Sequence, residues 1–190
     1  IGRLLGLSTA AREALLADTS PGADGLLLLP FFNGERTPNL PAGRGCLHGM
    51  TPSNMTPAHL VRAAMEGATC SLRSGYDAFV DAGLRFDTLL LTGGGSRSAA
   101  WRQMAADMFD LPVSVPTQPE GAAFGAALQA LWALQRHSGD RAVLVDVVDA
   151  HVQLDDAAAA QPHAASVDAY RTHYRAFVRH LDAIAPLYRA

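Results

Sequence analysis

Lysine is missing from this chain: all 15 basic residues are arginine. No side chain can offer a phosphate the compact ammonium of a P-loop, so phosphate contacts must come from arginine or backbone N–H groups. Beside so many alanines, the absence reads as compositional bias. Cysteine is scarce. Cys46 and Cys70 lie far apart and form no CxxC pair, which excludes a disulfide framework and a zinc site of ordinary spacing. Both read as small buried apolar residues in a reduced, cytoplasmic setting. No apolar run approaches the ~18 residues a membrane span needs; the longest starts at Leu26 and is broken by Pro30. No signal-peptide pattern is present. The chain opens on Ile1, so an internal piece or a trimmed product is expected. Charge is modest, with net −3 and no basic stripe, which argues against a nucleic-acid surface. There is no internal repeat.

What remains is a globular composition, 49% hydrophobic over 190 residues, enough for one full core with a small appendage. Ser8 can cap a short helix to about Ala17. The run from Ser20 to Gly25 reads as a turn. Residues 25–32 read as a buried strand, 33–44 as a loop, and 46–50 as a second strand. Thr56 and Pro57 then open the clearest helix. Its apolar positions (Leu60, Ala64, Ala68, Leu72, Tyr76, Phe79 and Val80) recur at helical spacing until Gly83. Residues 88–91 read as another buried strand. Ser98 caps a helix to about Phe109, residues 112–115 form a strand, and residues 121–134 a helix rich in alanine. Residues 138–165 are a weakly patterned, partly helical connection. The last helix, 167–188, turns Tyr170, Tyr174, Phe177, Val178 and Leu181 inward. The order implies an α/β fold, a mixed sheet with helices on its faces.

Four segments carry possible chemistry. In Thr92-Gly93-Gly94-Gly95-Ser96-Arg97-Ser98, three glycines join a strand to a helix, so backbone can approach a ligand beside a helix N-terminus. The pattern is neither GxxxxGK[ST] nor GxGxxG, and a plain tight turn would look the same. In Pro119-Glu120-Gly121-Ala122-Ala123-Phe124-Gly125, small residues suit close packing, or a joint at which domains move. In Asn33-Gly34-Glu35-Arg36-Thr37-Pro38, Arg36 can meet phosphate or order the loop through Glu35. The last, Gly45 to Glu66, couples a glycine-bearing strand to the long helix; Glu66 reads as a cap or polar-face residue, or as a domain-interface residue. Trp101 can reach a base or pack helix on sheet. The seven histidines show no ligand spacing and read as solvated or core residues.

Taken in order, these segments resemble the FGGY carbohydrate kinases. The stretch from Gly45 to Glu66 is similar to the second signature of that family. TGGGSRS resembles its adenosine-binding turn, and EGAAFGAAL its later connecting helix. LLLLPFFNGERTPN and WRQMAADMFDLPV resemble the xylulose-phosphorylating branch most. The resemblance implies an actin-like (ribonuclease-H-like) α/β fold and a kinase using ATP and Mg²⁺. It implies a nucleotide-binding domain over 1–137, a connection over 138–165, and a terminal helix over 166–190 on the same domain. The catalytic base and most sugar contacts are expected in an N-terminal domain outside this chain, so no catalytic residue is assigned here. This chain alone is expected to be inactive. Gly93, Gly94, Gly95 and Ser98 are the implied adenosine contacts, although glycerol kinase has Asn where Ser98 stands. D-xylulose is the implied substrate; ribulose, gluconate or glycerol remain alternatives, as does a non-catalytic nucleotide-binding module, since actin and Hsp70 share the fold. The implied partners are sugar, ATP and the N-terminal domain, with a homodimer left open.

Overall fold

A computed structural model of the chain describes residues 1–118 and 120–188. Ser8 opens helix α1 (Thr9–Leu16), its hydroxyl accepting from the Ala11 N–H at 3.1 Å. A turn through Gly22 leads to strand β1 (Leu27–Leu29). The strand is much shorter than the apolar run predicts, because Pro30 ends the ladder and Phe32 makes only an isolated bridge to Gly34. Strand β2 (Cys46–His48) pairs antiparallel with β1, Leu28 opposite Leu47. Leu26 to Leu29 are all at most 3% exposed, so β1 is covered on both faces.

Helix α2 (Pro57–Asp81) follows the predicted caps: Pro57 is in its first turn, and the Thr56 hydroxyl accepts from the His59 N–H at 3.3 Å. Its buried stripe corrects the expected one. Val61, Ala63, Glu66, Gly67, Thr69 and Cys70 face the core, whereas Leu72 and Phe79 are each 56% exposed. The helix is apolar around much of its girth, so periodicity alone chose the wrong stripe.

Strand β3 (Leu89–Leu90) and strand β4 (Val113–Ser114) pair in parallel, joined by helix α3 (Ala99–Phe109). β3 is not the buried strand expected, since Leu90 is 55% exposed. Helix α4 (Gly121–His137) packs mainly on helix α5 (Leu144–His151), which forms inside the weakly patterned connection. The close-packing reading of α4's small residues holds at its first residue, where a Cβ added at Gly121 would stand 3.2 Å from the Thr92 side chain, and fails one turn on. A Cβ added at Gly125 would meet nothing within 4 Å, and Leu128 is the helix's one buried residue. Pro119 of that segment lies outside the described residues. After α5 the chain returns antiparallel along the far edge of β4: the Val113 N–H donates to the Ala160 carbonyl at 2.9 Å, and the Asp155 N–H to the Val115 carbonyl at 2.8 Å.

Helix α6 (Ala164–Ile184) lies across α3, α2 and β1. It buries Tyr170, Phe177 and Leu181 as the pattern predicts, leaves Tyr174 and Val178 only half-buried, and adds Val167 and His173. The main core joins Leu27, Phe31, Met104, Met108, Tyr170 and Phe177. Cys70 is fully buried, but Cys46 is only partly so; both are free. No helix of the described residues is long and apolar enough to cross a membrane. The strands form two separate two-stranded ribbons where the sequence predicts one mixed sheet.

Candidate nucleotide cleft

The turn after β3 is built by glycine. Gly93 sits at φ +81°, in the region that favours residues without a Cβ. Gly94 to Arg97 then make one tight turn. The Ser96 hydroxyl, buried, donates to the Gly93 carbonyl at 2.7 Å, and Arg102 Nη1 donates to the Ser96 carbonyl at 2.8 Å. These bonds fix the turn at the start of α3. The N–H groups of Gly94 and Gly95 have no partner among the described residues. The turn therefore offers two free backbone donors just ahead of α3.

A cleft of about 420 Å³ opens beside it, with Gly94, Gly95, Ser98 and Trp101 on one wall. Ala64 and Ala68 of α2, one helical turn apart, line it as well, with no side chain beyond Cβ. The third wall comes from α1 and includes Arg12 and Glu13. Trp101 is held by two elements. Its Nε1 donates to Thr69 Oγ1 at 3.0 Å, and a Cβ at Gly95 would stand only 3.1 Å from its ring. Trp101 ties α3 to α2, where helix on sheet was the packing expected, and it also lines the cleft.

Of the four expected contact residues, the structure brings Gly94, Gly95 and Ser98 to the cleft wall, and Gly93 turns the chain just before it. Ser98 already has a task. Its Oγ accepts from the Trp101 N–H at 3.0 Å as the N-cap of α3. Replacing Ser98 with alanine is therefore expected to cost about 1 kcal/mol of stability, read as a lowered urea midpoint.

The Glu35–Arg36 loop does not join this cleft. Glu35 Oε1 accepts from the backbone N–H groups of Arg36 (2.7 Å) and Thr37 (3.4 Å), so the carboxylate orders its own loop. Arg36 is exposed.

Glu66 corrects the sequence most. It is fully buried, neither a cap nor a polar-face residue. Its Oε1 accepts from the Gly22 N–H at 2.8 Å and lies 3.5 Å from Arg62. Its Oε2 lies 3.6 Å from Nε2 of buried His173, and neither atom has a hydrogen-bond partner among the described residues. Burial pushes the Glu66 carboxyl up to about 7, partly opposed by the Gly22 N–H and by Arg62. Burial pushes the His173 imidazole down to about 4. Arg62 also donates to Thr19 Oγ1 (2.6 Å) and the Leu16 carbonyl (2.8 Å), tying the end of α1 to α2. Sequence reasoning missed this cluster. The one local signal was the Arg62–Glu66 spacing of four; the partner histidine lies more than a hundred residues away.

Comparison with known proteins fits this geometry. Residues 5–134 match the FGGY family of carbohydrate kinases, C-terminal domain. The chain is 39% identical to the xylulose kinase of Haemophilus influenzae over 170 residues, covering 89% of this chain and 34% of that protein. It is 35% identical to the gluconokinase of Bacillus subtilis over 145 residues, 73% of this chain and 28% of that protein. The crystal structure of xylulose kinase from Rhodospirillum rubrum superposes with a TM-score of 0.81 at 30% identity, covering 95% of this chain and 35% of that one. The chain thus spans about a third of the length of its relatives. The α/β, actin-like fold of these sugar kinases is the fold of this chain, and the chain belongs to the FGGY family of carbohydrate kinases as a C-terminal domain.

Proposed function

We propose that the protein transfers the γ-phosphoryl group of ATP to the 5-hydroxyl of D-xylulose, and that residues 1–137 form the nucleotide-binding domain. Residues 138–165 are its connection and residues 166–190 its terminal helix, and a further domain supplies the sugar contacts and the base. The observation that carries the nucleotide role is the unpartnered Gly94–Gly95 turn, which lines one cleft together with Ala64 and Ala68. A cleft lined by free backbone N–H groups and small side chains lets a planar base and ribose approach the backbone. Gly93, Gly94, Gly95 and Ser98 are the proposed adenosine contacts. Phosphoryl transfer needs alignment and charge stabilisation more than covalent help, so this domain contributes position and, on closure, exclusion of water.

Mg²⁺ would neutralise the phosphate charge. No group of three or more His, Cys, Asp or Glu that could hold a metal occurs among the described residues. We therefore assign none of these residues to Mg²⁺ and place it with the triphosphate. The cytoplasm is the proposed setting. The xylulose kinase relative supports the sugar; the gluconokinase relative keeps gluconate as the second reading.

The test is ADP release by the full-length protein with D-xylulose, gluconate, ribulose, glycerol and no sugar. Turnover selective for D-xylulose is the expected result. Selective turnover of another sugar would replace the substrate, and none with any sugar would overturn the kinase reading. In the same assay Gly95→Val, which pushes a side chain against Trp101, is expected to raise the KM for ATP about tenfold, an amount equal to about 1.4 kcal/mol of lost binding, while the KM for sugar stays put.

A further inference from the structure

Helix α1 lines the cleft through Thr9, Arg12, Glu13 and Leu16. It has little of its own to hold it there. Its 8 residues are too few for a helix to stand alone in water, and Leu16 is its one buried side chain. Its position must therefore come from contacts beyond itself.

Those contacts converge on one side chain of α2. Arg62 Nη2 donates to the Leu16 carbonyl at 2.8 Å, which places a cation at the end of α1, where the helix dipole favours one. Its Nε donates to Thr19 Oγ1 at 2.6 Å, and its Nη1 to the Tyr170 hydroxyl at 3.2 Å. One guanidinium on α2 thus holds the end of α1, the chain just after it, and α6. One turn further along α2, Glu66 Oε1 accepts from the Gly22 N–H at 2.8 Å and lies 3.5 Å from Arg62. The chain from Leu16 to Gly22 is therefore stitched to neighbouring positions on one face of α2. The Arg62 side chain is only 11% exposed and Glu66 not at all, so a partner lost here leaves a polar group without water to replace it. A planar fork can hold three acceptors in three fixed directions, and a flexible ammonium cannot. Arg62 itself does not line the cleft, but its neighbours Val61, Ala64 and Met65 do. Helix α2 supplies part of the lining directly and, from the adjoining face, holds the helix that supplies another part.

We propose that Arg62 is a positioning residue for the nucleotide: it fixes α1 as a wall of the cleft and so sets the affinity for ATP from outside the cleft. The inference rests on the nucleotide reading of this cleft and adds to it a residue that the lining does not include. It does not depend on which sugar is phosphorylated.

Steady-state kinetics of the full-length protein test it. Arg62→Lys keeps a positive charge beside Glu66 and loses the fork. It is expected to raise the KM for ATP about tenfold, while kcat and the KM for sugar stay within about twofold. Thr19→Val removes only the partner of Nε and leaves the buried pair intact, and is expected to raise the KM for ATP about threefold. It carries the test by itself should Arg62→Lys not fold. Val147→Ala, in α5, is the control: Val147 is buried but lies outside the cleft lining. This variant is expected to lower Tm and to leave the KM for ATP unchanged. An unchanged KM for ATP in the Arg62 and Thr19 variants, with Gly95→Val still raising it, would overturn the proposal. So would an equal rise in Val147→Ala, because lost stability would then account for the effect. No change in Gly95→Val either would remove the nucleotide reading of the cleft, and the role of Arg62 with it.

Discussion

Replacing Gly67 with alanine is expected to destabilise the protein by about 1–2 kcal/mol, although alanine is the better helix former. Gly67 lies in the buried stripe of α2 against β1. A Cβ built there falls well inside van der Waals contact with the Leu28 carbonyl oxygen and 3.2 Å from the carbonyl carbon. Both obstacles are backbone, and Leu28 is held in the β1–β2 ladder. Neither can swing aside as a long side chain would. The helix gains about 1 kcal/mol of propensity from alanine. Against this, α2 must move off a strand whose neighbours are close-packed on both sides, and overpacking of that kind costs typically 1–3 kcal/mol and sometimes more. The clash wins. Lower Tm and lower soluble yield for Gly67→Ala are the expected readouts, with Gly75→Ala as the contrast: a Cβ there meets nothing within 4 Å, so only the propensity gain should remain. A Gly67→Ala protein as stable as the wild type would show that α2 does not pack on β1 as described.

The second large effect is on the pH dependence of stability. Glu66 holds its proton up to about 7 in the folded chain, against 4.5 when unperturbed. As pH rises from 4.5 to 7 the unfolded chain gives up this proton and the folded chain keeps it, so Glu66 makes stability fall with rising pH. His173 acts in the other direction. Its folded value is about 4 against 6.5, so as pH drops from 6.5 to 4 the unfolded chain takes up a proton that the folded chain refuses. Stability from His173 is present above 6.5 and lost toward 4. Between 4.5 and 6.5 the slopes are opposite and nearly equal, because over that window the folded chain keeps Glu66 protonated and His173 neutral, whereas the unfolded chain has the reverse.

The wild-type contribution from this pair should therefore be flat from about 4.5 to 6.5. Glu66→Gln removes one arm, and stability should then rise with pH over 4 to 6.5. His173→Phe removes the other, and stability should fall with pH over 4.5 to 7. Each unmasked slope approaches about 1.4 kcal/mol per pH unit. Urea midpoints of residues 1–190 across this range would check it; parallel profiles for wild type and both variants would refute the two opposed shifts.

The caps and turns were legible from the sequence because they are local. Ser8, Thr56 and Ser98 act within three residues of themselves, and Gly93 announces the turn by its own conformational freedom. Membership in the family was legible from four motifs in order. What the sequence hid was non-local. Nothing near Glu66 points to His173, because the two meet only when α6 crosses α2. The exposure of Leu72, Phe79 and Leu90 was hidden too, because an apolar residue reads the same in sequence whether or not a neighbour covers it. The return of residues 153–160 along β4 carries no alternating pattern, because it is held by backbone bonds and alanines.

That return has a further consequence. The Thr117 N–H donates to the Gln153 carbonyl at 2.9 Å, and Pro116 bridges to Leu154. The excursion that carries α4 and α5 is thus pinched shut at its base. Closing a loop costs entropy only as the logarithm of its length, so residues added at the exposed tip around Gly139 would tax folding little. An affinity tag or a fluorescent reporter inserted there would ride on a stem fastened to β4, and the chain around the candidate cleft would keep its register.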